Sequence, residues 1–310
     1  DPNSINSEII FKSWKKINIS IKKRIYFISN FQLLQKQFEK LNYRINLEKV
    51  ESINQNSKNN KLKILDIDLK FKNPFRVPEK STSKFVINSL NQAHKLALNK
   101  KVIGIINCAI NKKIFKNKIG VTEYLAKKCK VKNNSEVMLI TNKKYSVSPL
   151  TTHIDIKEVS KNIKSRTFIS KVKTIDKWFK KNFKKKPKIG VLGLNPHNAE
   201  LRKDSKEKKV IIPTIYKLKK LGINIKGPLV SDTIFLEDYK KYDVIVGMYH
   251  DQVLSPFKAL FKFDAINVTL GLKYLRVSPD HGTAVNLIGK NKAKSNSLLK
   301  CISFLSNLNK

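Results

Sequence analysis

The sequence predicts an α/β protein with a largely parallel sheet, and three observations predict it. Short β-rich apolar runs alternate along the chain with amphipathic segments of helical length. Runs such as Val244–Val246 and Ile189–Leu192 are continuously apolar rather than alternating, as strands covered on both faces should be. The 310 residues are 41% hydrophobic and 9% aromatic, enough for two modest domains or one large one with a real core.

The elements follow in order. Leu34, Phe38 and Leu41 recur at helical spacing in 31–41, and "KLKILDID" (61–68) reads as a strand. Residues 83–100 carry a long helical pattern, and "VIGIINCAI" (102–110) and "EVMLIT" (136–141) are the next strands. Val172, Ile175 and Phe179 make one face of a helix over 171–183, which leads to the strand "KIGVLGL" (188–194). A helix over 209–222 precedes the strands "DVIVGMY" (243–249) and "AINVTL" (265–270), and "QVLSPFKALF" suggests a helix between them. The segments 54–61 and 185–188 are polar connections, the second expected to be a hinge or linker because lysines and a proline follow a helical pattern. No internal repeat is present.

A net charge of +41 would ordinarily suggest a polyanion partner. The lysines, however, are spread over the whole chain and accompany abundant Asn and Ile, residues that share AT-rich codons. A nucleic-acid surface needs basic residues on one face with interleaved aromatics. Composition bias on solvated faces is therefore the better reading, and nucleic acid is disfavoured as a partner. The charge should still attract anionic metabolites. Cys108, Cys129 and Cys301 form no Cys-x-x-Cys pair, which fits a reducing cytoplasm better than a disulfide framework. No run reaches the roughly 18 uncharged apolar residues of a membrane helix, so no membrane partner is expected. The start "DPNSINSEII" has neither a signal-peptide layout nor an initiator methionine, so the numbering is expected to begin inside a longer chain.

Four of the five histidines share one setting. His153, His197, His250 and His281 each close an apolar, strand-like run where turn residues begin, whereas His94 lies inside a helical pattern. In a parallel α/β sheet those are the carboxyl ends of strands, where ligand sites gather. Any one alone reads as a loop histidine bonding a turn. As a set they favour a site in which three imidazoles hold a divalent ion, zinc or a transition-metal neighbour before magnesium. Lys258, eight residues after His250, joins Asn267 and Arg276 as an anion-binding set suited to a carboxylate or phosphate. There is no Walker A loop, no Gly-x-Gly-x-x-Gly and no Gly-x-Ser-x-Gly elbow.

These pieces resemble the 4-hydroxythreonine-4-phosphate dehydrogenase family of pyridoxal 5′-phosphate biosynthesis. The matching stretches are "TTHIDIKEV" (151–159), "GLNPHNAE" (193–200), "GPLVSDTIF" (227–235), "MYHDQVLSPFK" (248–258), "NVTLGLKYLR" (267–276) and "SPDHGTAVNLIGK" (278–290). They stand in the family's order over roughly the C-terminal half. The resemblance implies His153, His197 and His250 as metal ligands, for zinc above all, with cobalt or magnesium as alternatives. It implies Thr122, Lys258, Asn267 and Arg276 as contacts to a small phosphorylated substrate. Asp280, His281, Gly282, Thr283, Ala284 and Asn286 would belong to a loop binding NAD or NADP, like that of isocitrate and isopropylmalate dehydrogenases. The implied fold is the two-domain α/β type of those enzymes, with an interdomain active-site cleft, in a homodimer with ligands near the subunit interface. One domain is expected over 1–125 with 283–310 and the other over 126–282. The first strand of that fold is expected to lie before Asp1. The implied chemistry is oxidation at an alcohol followed by decarboxylation, with Lys258 moving the proton. Asp251 is either a carboxylate orienting a ligand or the lysine, or a plain turn residue.

The chain also departs from the family. Val121 and Asn111 stand where the family has histidines, "NAELRKDSKEK" (198–208) replaces a glycine-rich run, "DPNSINSE" replaces a glycine-containing start, and Asn286 replaces an acid. Two alternatives therefore stand beside the leading expectation. One is a dehydrogenase of a related four-carbon aldonate phosphate, and the other is a non-catalytic or nucleic-acid-binding homologue. A degenerate homologue should have lost a metal ligand, and all three are present.

Overall fold

Each of the apolar runs singled out above as a strand forms one, and each of the helical patterns forms a helix, in a computed structural model that describes residues 1–53, 60–115, 120–132, 134–142, 144–262 and 264–308. Residues 54–59 of the first polar connection lie outside the described residues. The chain divides into two compact units, Asp1–Tyr124 with Tyr274–Lys310, and Leu125–Lys273.

The first unit opens with α1 (Asn6–Lys16), the short α2 (Ile19–Lys22) and β1 (Phe27–Ser29). The Asn30 side chain then caps α3 (Phe31–Lys40) by accepting from the Leu33 N–H, one of the donors a helix start leaves unpaired. β2 (Leu47–Val50), β3 (Leu62–Asp66), α4 (Glu79–Leu98), β4 (Gly104–Ile106) and the start of α5 (Val121–Lys128) complete its first part. β1 and β2 flank β3, both parallel to it. The chain returns to this unit with β11 (Leu275–Pro279), parallel to β4, and with α10 (Asn296–Asn307). The core gathers Ile5, Ile9, Trp14, Phe38, Leu62 and Leu298 from α1, α3, β3 and α10. The buried Glu8 carboxylate accepts from the Ala293 N–H and from Lys12, fastening α1 to the segment before α10.

The second unit holds β5 (Val137–Thr141), β6 (Ser146–Pro149), α6 (Ile156–Asn162), α7 (Ser165–Phe183) and β7 (Ile189–Leu192). It continues with α8 (Ile212–Lys220), β8 (Ile225–Leu229), β9 (Val244–Gly247), α9 (His250–Phe261) and β10 (Ile266–Leu270). The strands run in the order β10-β5-β6-β9-β7-β8. β5 is antiparallel to both β10 and β6, and the other neighbours are parallel. β6, β7 and β9 are buried along their whole length; β7 and β9 accordingly read as continuous apolar runs, whereas β6, Ser-Val-Ser-Pro, is buried without being one. Val147, Leu192, Ile245, Val253 and Phe257 pack one side of the sheet against α9.

Two expectations are corrected. Residues 185–188 are no hinge between domains: they join α7 to β7 inside the second unit, where Lys185 pairs with Asp243 and the Lys188 N–H donates to the same carboxylate. Residues 274–282, expected in the second domain, fall in the first unit because β11 pairs with β4. His94 accounts for itself within the first unit, its ring 5.6 Å from that of Tyr274 and its Nδ1 2.9 Å from the Tyr274 hydroxyl.

Candidate active site

The site is built on three strands that lie side by side and run the same way. β9 has β6 on one side and β7 on the other, all parallel, so their carboxyl ends lie at one edge of the sheet. His153 stands four residues beyond β6, His197 five beyond β7 and His250 three beyond β9. The sheet thus carries all three imidazoles in neighbouring loops at the place where α/β proteins keep their ligands.

His153 and His250 meet, with ring centroids 5.7 Å apart. Two imidazoles sharing one ion through nitrogens at roughly 2 Å would place their centroids roughly 5 Å apart, so the pair has the spacing of co-ligands. The Asp251 carboxylate lies 2.6 Å from His250 Nδ1. A carboxylate only accepts, so Nδ1 donates and the neutral ring keeps its lone pair on Nε2. A carboxylate on the far nitrogen of an imidazole is also how metal-ligating histidines are commonly oriented, and the Asp251 side chain bonds His250 in that way. The structure does not gather His197 with them: among the described residues no three His, Cys, Asp or Glu side chains form a metal-holding group.

His197 opens an unusual segment. His197, Asn198, Ala199, Glu200 and Leu201 have φ of 46°, 58°, 53°, 43° and 57°, five successive residues in the left-handed region without a glycine. Each such L-residue costs roughly 1–2 kcal/mol against the right-handed form. Two side chains hold the turn. The Asn198 amide donates to Pro228 O, and Glu207 reaches back from the helical stretch before α8. Glu207 is fully buried, and its Oε1 accepts from the Leu194 and Asn195 N–H groups at 2.8 and 2.7 Å while Oε2 accepts from the Asn195 side chain. Burial pushes its carboxyl upward, but the bonds from Asn195, from its own backbone and from Leu194 outweigh that and leave it below the ordinary value. Gly193 leaves room for the Asn198 side-chain oxygen, which a Cβ there would displace.

The remaining residues fall in place as follows. Lys258 lies half-buried on α9, and Asn267 on β10 keeps its side-chain oxygen buried without a hydrogen-bond partner among the described residues. In the first unit Arg276 on β11 is 4% exposed. Its Nε donates to Asn107 Oδ1 at 2.5 Å and one Nη to Thr122 Oγ1 at 3.2 Å. Burial lowers the guanidinium to about 10, which leaves it charged at neutral pH. In the 280–286 loop the Asp280 N–H donates to Ser297, Thr283 O accepts from the Ile5 N–H, and Ala284 is left-handed with φ 45°. Gly282 stands in open space, Asn286 is exposed, and His281 has a buried Nε2 with no hydrogen-bond partner among the described residues. Asn107 and Glu207 carry no sequence signal of their own. Their roles arise from partners more than ten residues away.

These features define an α/β protein whose candidate ligand residues lie largely in loops at the ends of parallel strands. The family model described as "Pyridoxal phosphate biosynthetic protein PdxA" matches residues 21–305, and the chain belongs to that family. It is 36% identical over 312 aligned residues to a 4-hydroxythreonine-4-phosphate dehydrogenase of Sulfurihydrogenibium, covering 97% of this chain and 94% of that protein. It is 34% identical over 220 residues to a putative D-threonate 4-phosphate dehydrogenase of Oceanobacillus iheyensis, covering 69% and 66%. The crystal structure of 4-hydroxythreonine-4-phosphate dehydrogenase from Klebsiella pneumoniae superposes with a TM-score of 0.86 at 26% identity, covering 100% of this chain and 97% of that one.

Proposed function

We propose that the protein is a metal- and NAD(P)-dependent dehydrogenase of pyridoxal 5′-phosphate biosynthesis. It would oxidise 4-phosphohydroxy-L-threonine to 2-amino-3-oxo-4-phosphooxybutanoate, which decarboxylates to 3-amino-2-oxopropyl phosphate. The observation that carries the reading is the His153–His250 pair, backed by Asp251, at the ends of adjacent parallel strands.

His153 and His250 would hold the ion with His197 as third ligand, and imidazole donors favour zinc or cobalt over magnesium. When bound, the cation would supply polarisation of the substrate's oxygen atoms, and a nicotinamide would supply the hydride acceptor. Asp251 keeps the His250 proton on Nδ1, so that Nε2 remains a donor to metal. Lys258 takes the proton from the substrate hydroxyl and returns one to the carbon that loses carbon dioxide. Arg276, its fork fixed by Asn107 and Thr122, and Asn267, with its buried unpaired oxygen, bind the polar groups of the substrate. The 280–286 loop takes the nicotinamide cofactor, and the buried ring nitrogen of His281 is a group suited to bond it. A homodimer in the cytoplasm belongs to the same reading; the three free thiols fit a reducing compartment.

The likeness to a putative D-threonate 4-phosphate dehydrogenase, together with Val121 and Asn111, favours a second reading in which the substrate is a four-carbon aldonate phosphate. Metal-loaded protein with NAD, assayed for NADH on each substrate, separates the two. The first reading expects kcat/KM to be higher for 4-phosphohydroxy-L-threonine. Turnover of D-threonate 4-phosphate alone would transfer the assignment to the second.

A further inference from the structure

The helix α1 and the residue before it grip both ends of the loop that follows β11. Where the loop begins, the Ile5 N–H donates to Thr283 O at 3.1 Å. Where it ends, Lys12 takes hold, and each of the three donors of its ammonium has an acceptor: Glu8 Oε1 at 2.7 Å, Asn291 O at 2.9 Å and Ala293 O at 2.9 Å. The same Glu8 oxygen accepts from the Ala293 N–H at 2.7 Å, and the Tyr43 hydroxyl donates to Asn291 Oδ1 at 2.7 Å. Glu8 and Ala293 are buried, so this junction is part of the core and not a surface ion pair.

The chain between these anchors is short and irregular. It makes one 3-10 turn at Val285–Leu287, and Ala284, Gly289 and Asn291 take positive φ of 45°, 76° and 54°. Ala284, Leu287 and Ile288 pack against the core that holds Ile5 and Ile9, while Val285 and Asn286 are exposed. A segment with so few backbone bonds of its own keeps one shape only as far as its ends are fixed. Lys12 and Glu8 fix one end, and the Ile5 N–H fixes the other.

We propose that Lys12 and Glu8 are positioning residues for cofactor binding: by pinning Asn291 and Ala293 to α1 they hold the preceding loop in the shape that takes a nicotinamide dinucleotide. They act through the backbone of the loop and not by contact with the dinucleotide. Without the ammonium, Asn291 O and Ala293 O lose their donor and the loop is free to take other shapes. Apparent affinity then falls with the fraction of molecules that keep the competent one. This inference rests on the reading of the 280–286 loop given under Proposed function.

The test titrates the protein with NADH and with NADPH and follows the change in their fluorescence, with circular dichroism as a check of folding. Wild type should bind one of the two, and His281→Ala should weaken that binding. Lys12→Met keeps much of the side chain's length but none of its donors, and it should bind the same dinucleotide about 5–10-fold more weakly. Its KM for the oxidised dinucleotide should rise in step while its KM for 4-phosphohydroxy-L-threonine does not, and amide hydrogen exchange should quicken at 284–290. The double variant Glu8→Gln/Lys12→Met, which also removes the buried charge left unpaired, carries the same expectation and serves where the single variant does not fold. Unchanged dinucleotide affinity in the folded variant, or an equal rise in both KM values, would overturn this inference alone. Wild type that binds neither NADH nor NADPH, or binding indifferent to His281→Ala, would overturn it together with the reading of the loop.

Discussion

Glu207 shows how much a single buried carboxylate can do. It sits at zero exposure, and its bonds to Leu194 and Asn195 fix the residues that lead into His197. Replacing it by glutamine keeps the shape but turns an N–H₂ toward backbone donors, and a buried donor left unpaired costs about 1–3 kcal/mol. Because the folded carboxyl lies below its ordinary 4.5, the stability it supplies is fully present above that value. That stability is lost as pH falls through the lower folded value. Urea unfolding at a series of pH values should therefore find Glu207→Gln less stable than wild type near neutrality. The difference should begin to narrow below about pH 4.5 and close only below the folded value. A constant difference across that range would place the effect elsewhere than in the carboxylate. No sequence pattern marks Glu207 among the many charged residues of 198–208. Its importance appears only once the chain brings it back beneath Leu194.

At the level of elements, the left-handed turn of 197–201 explains how the chain tolerates a departure from its family. Glycine takes positive φ without penalty, whereas here Asn198, Ala199, Glu200 and Leu201 adopt it at a cost. Glu200 is exposed, and its pairing with Arg202 at 3.4 Å is exposed as well, so removing its side chain sacrifices little. Glu200→Gly should raise stability by about 1 kcal/mol and the unfolding midpoint by a few degrees, read by thermal denaturation. A lower midpoint would mean that the turn is not strained. Most of the longer elements were legible because burial wrote itself into them as apolar runs and helical spacing, although α10 was not among those read. β1, with three residues, and β8, whose "IKGPL" contains Gly and Pro, have no such run and were not. α1 was obscured by its polar opening, where Asn6, Ser7 and Glu8 are all buried. The strand-end histidines could be read because each stands within a few residues of a strand's end, where turn residues begin. Glu8 and Asn107 could not, since they act by bonding backbone and side chains supplied by other elements.

For the whole molecule, the +41 charge has its clearest meaning as a background field that draws in anions and keeps the chain soluble. The groups that the proposed chemistry would use are few and buried or paired: Arg276 held by Asn107 and Thr122, Glu207 under the His197 loop, and Asp251 on His250. The resemblance drawn from motifs in the C-terminal half holds over nearly the whole chain, as the match to residues 21–305 attests. The central claim is that histidines on adjacent strand ends hold one ion on which dehydrogenase turnover depends. Its most direct measurement strips the protein with a chelator, adds back Zn²⁺ or Co²⁺, and follows NADH production from 4-phosphohydroxy-L-threonine and NAD in wild type and His250→Ala. The account expects wild-type activity to vanish on stripping and to return at about one ion per chain, with no recovery in a folded His250→Ala protein. Full turnover after stripping, or normal recovery in His250→Ala, would contradict it.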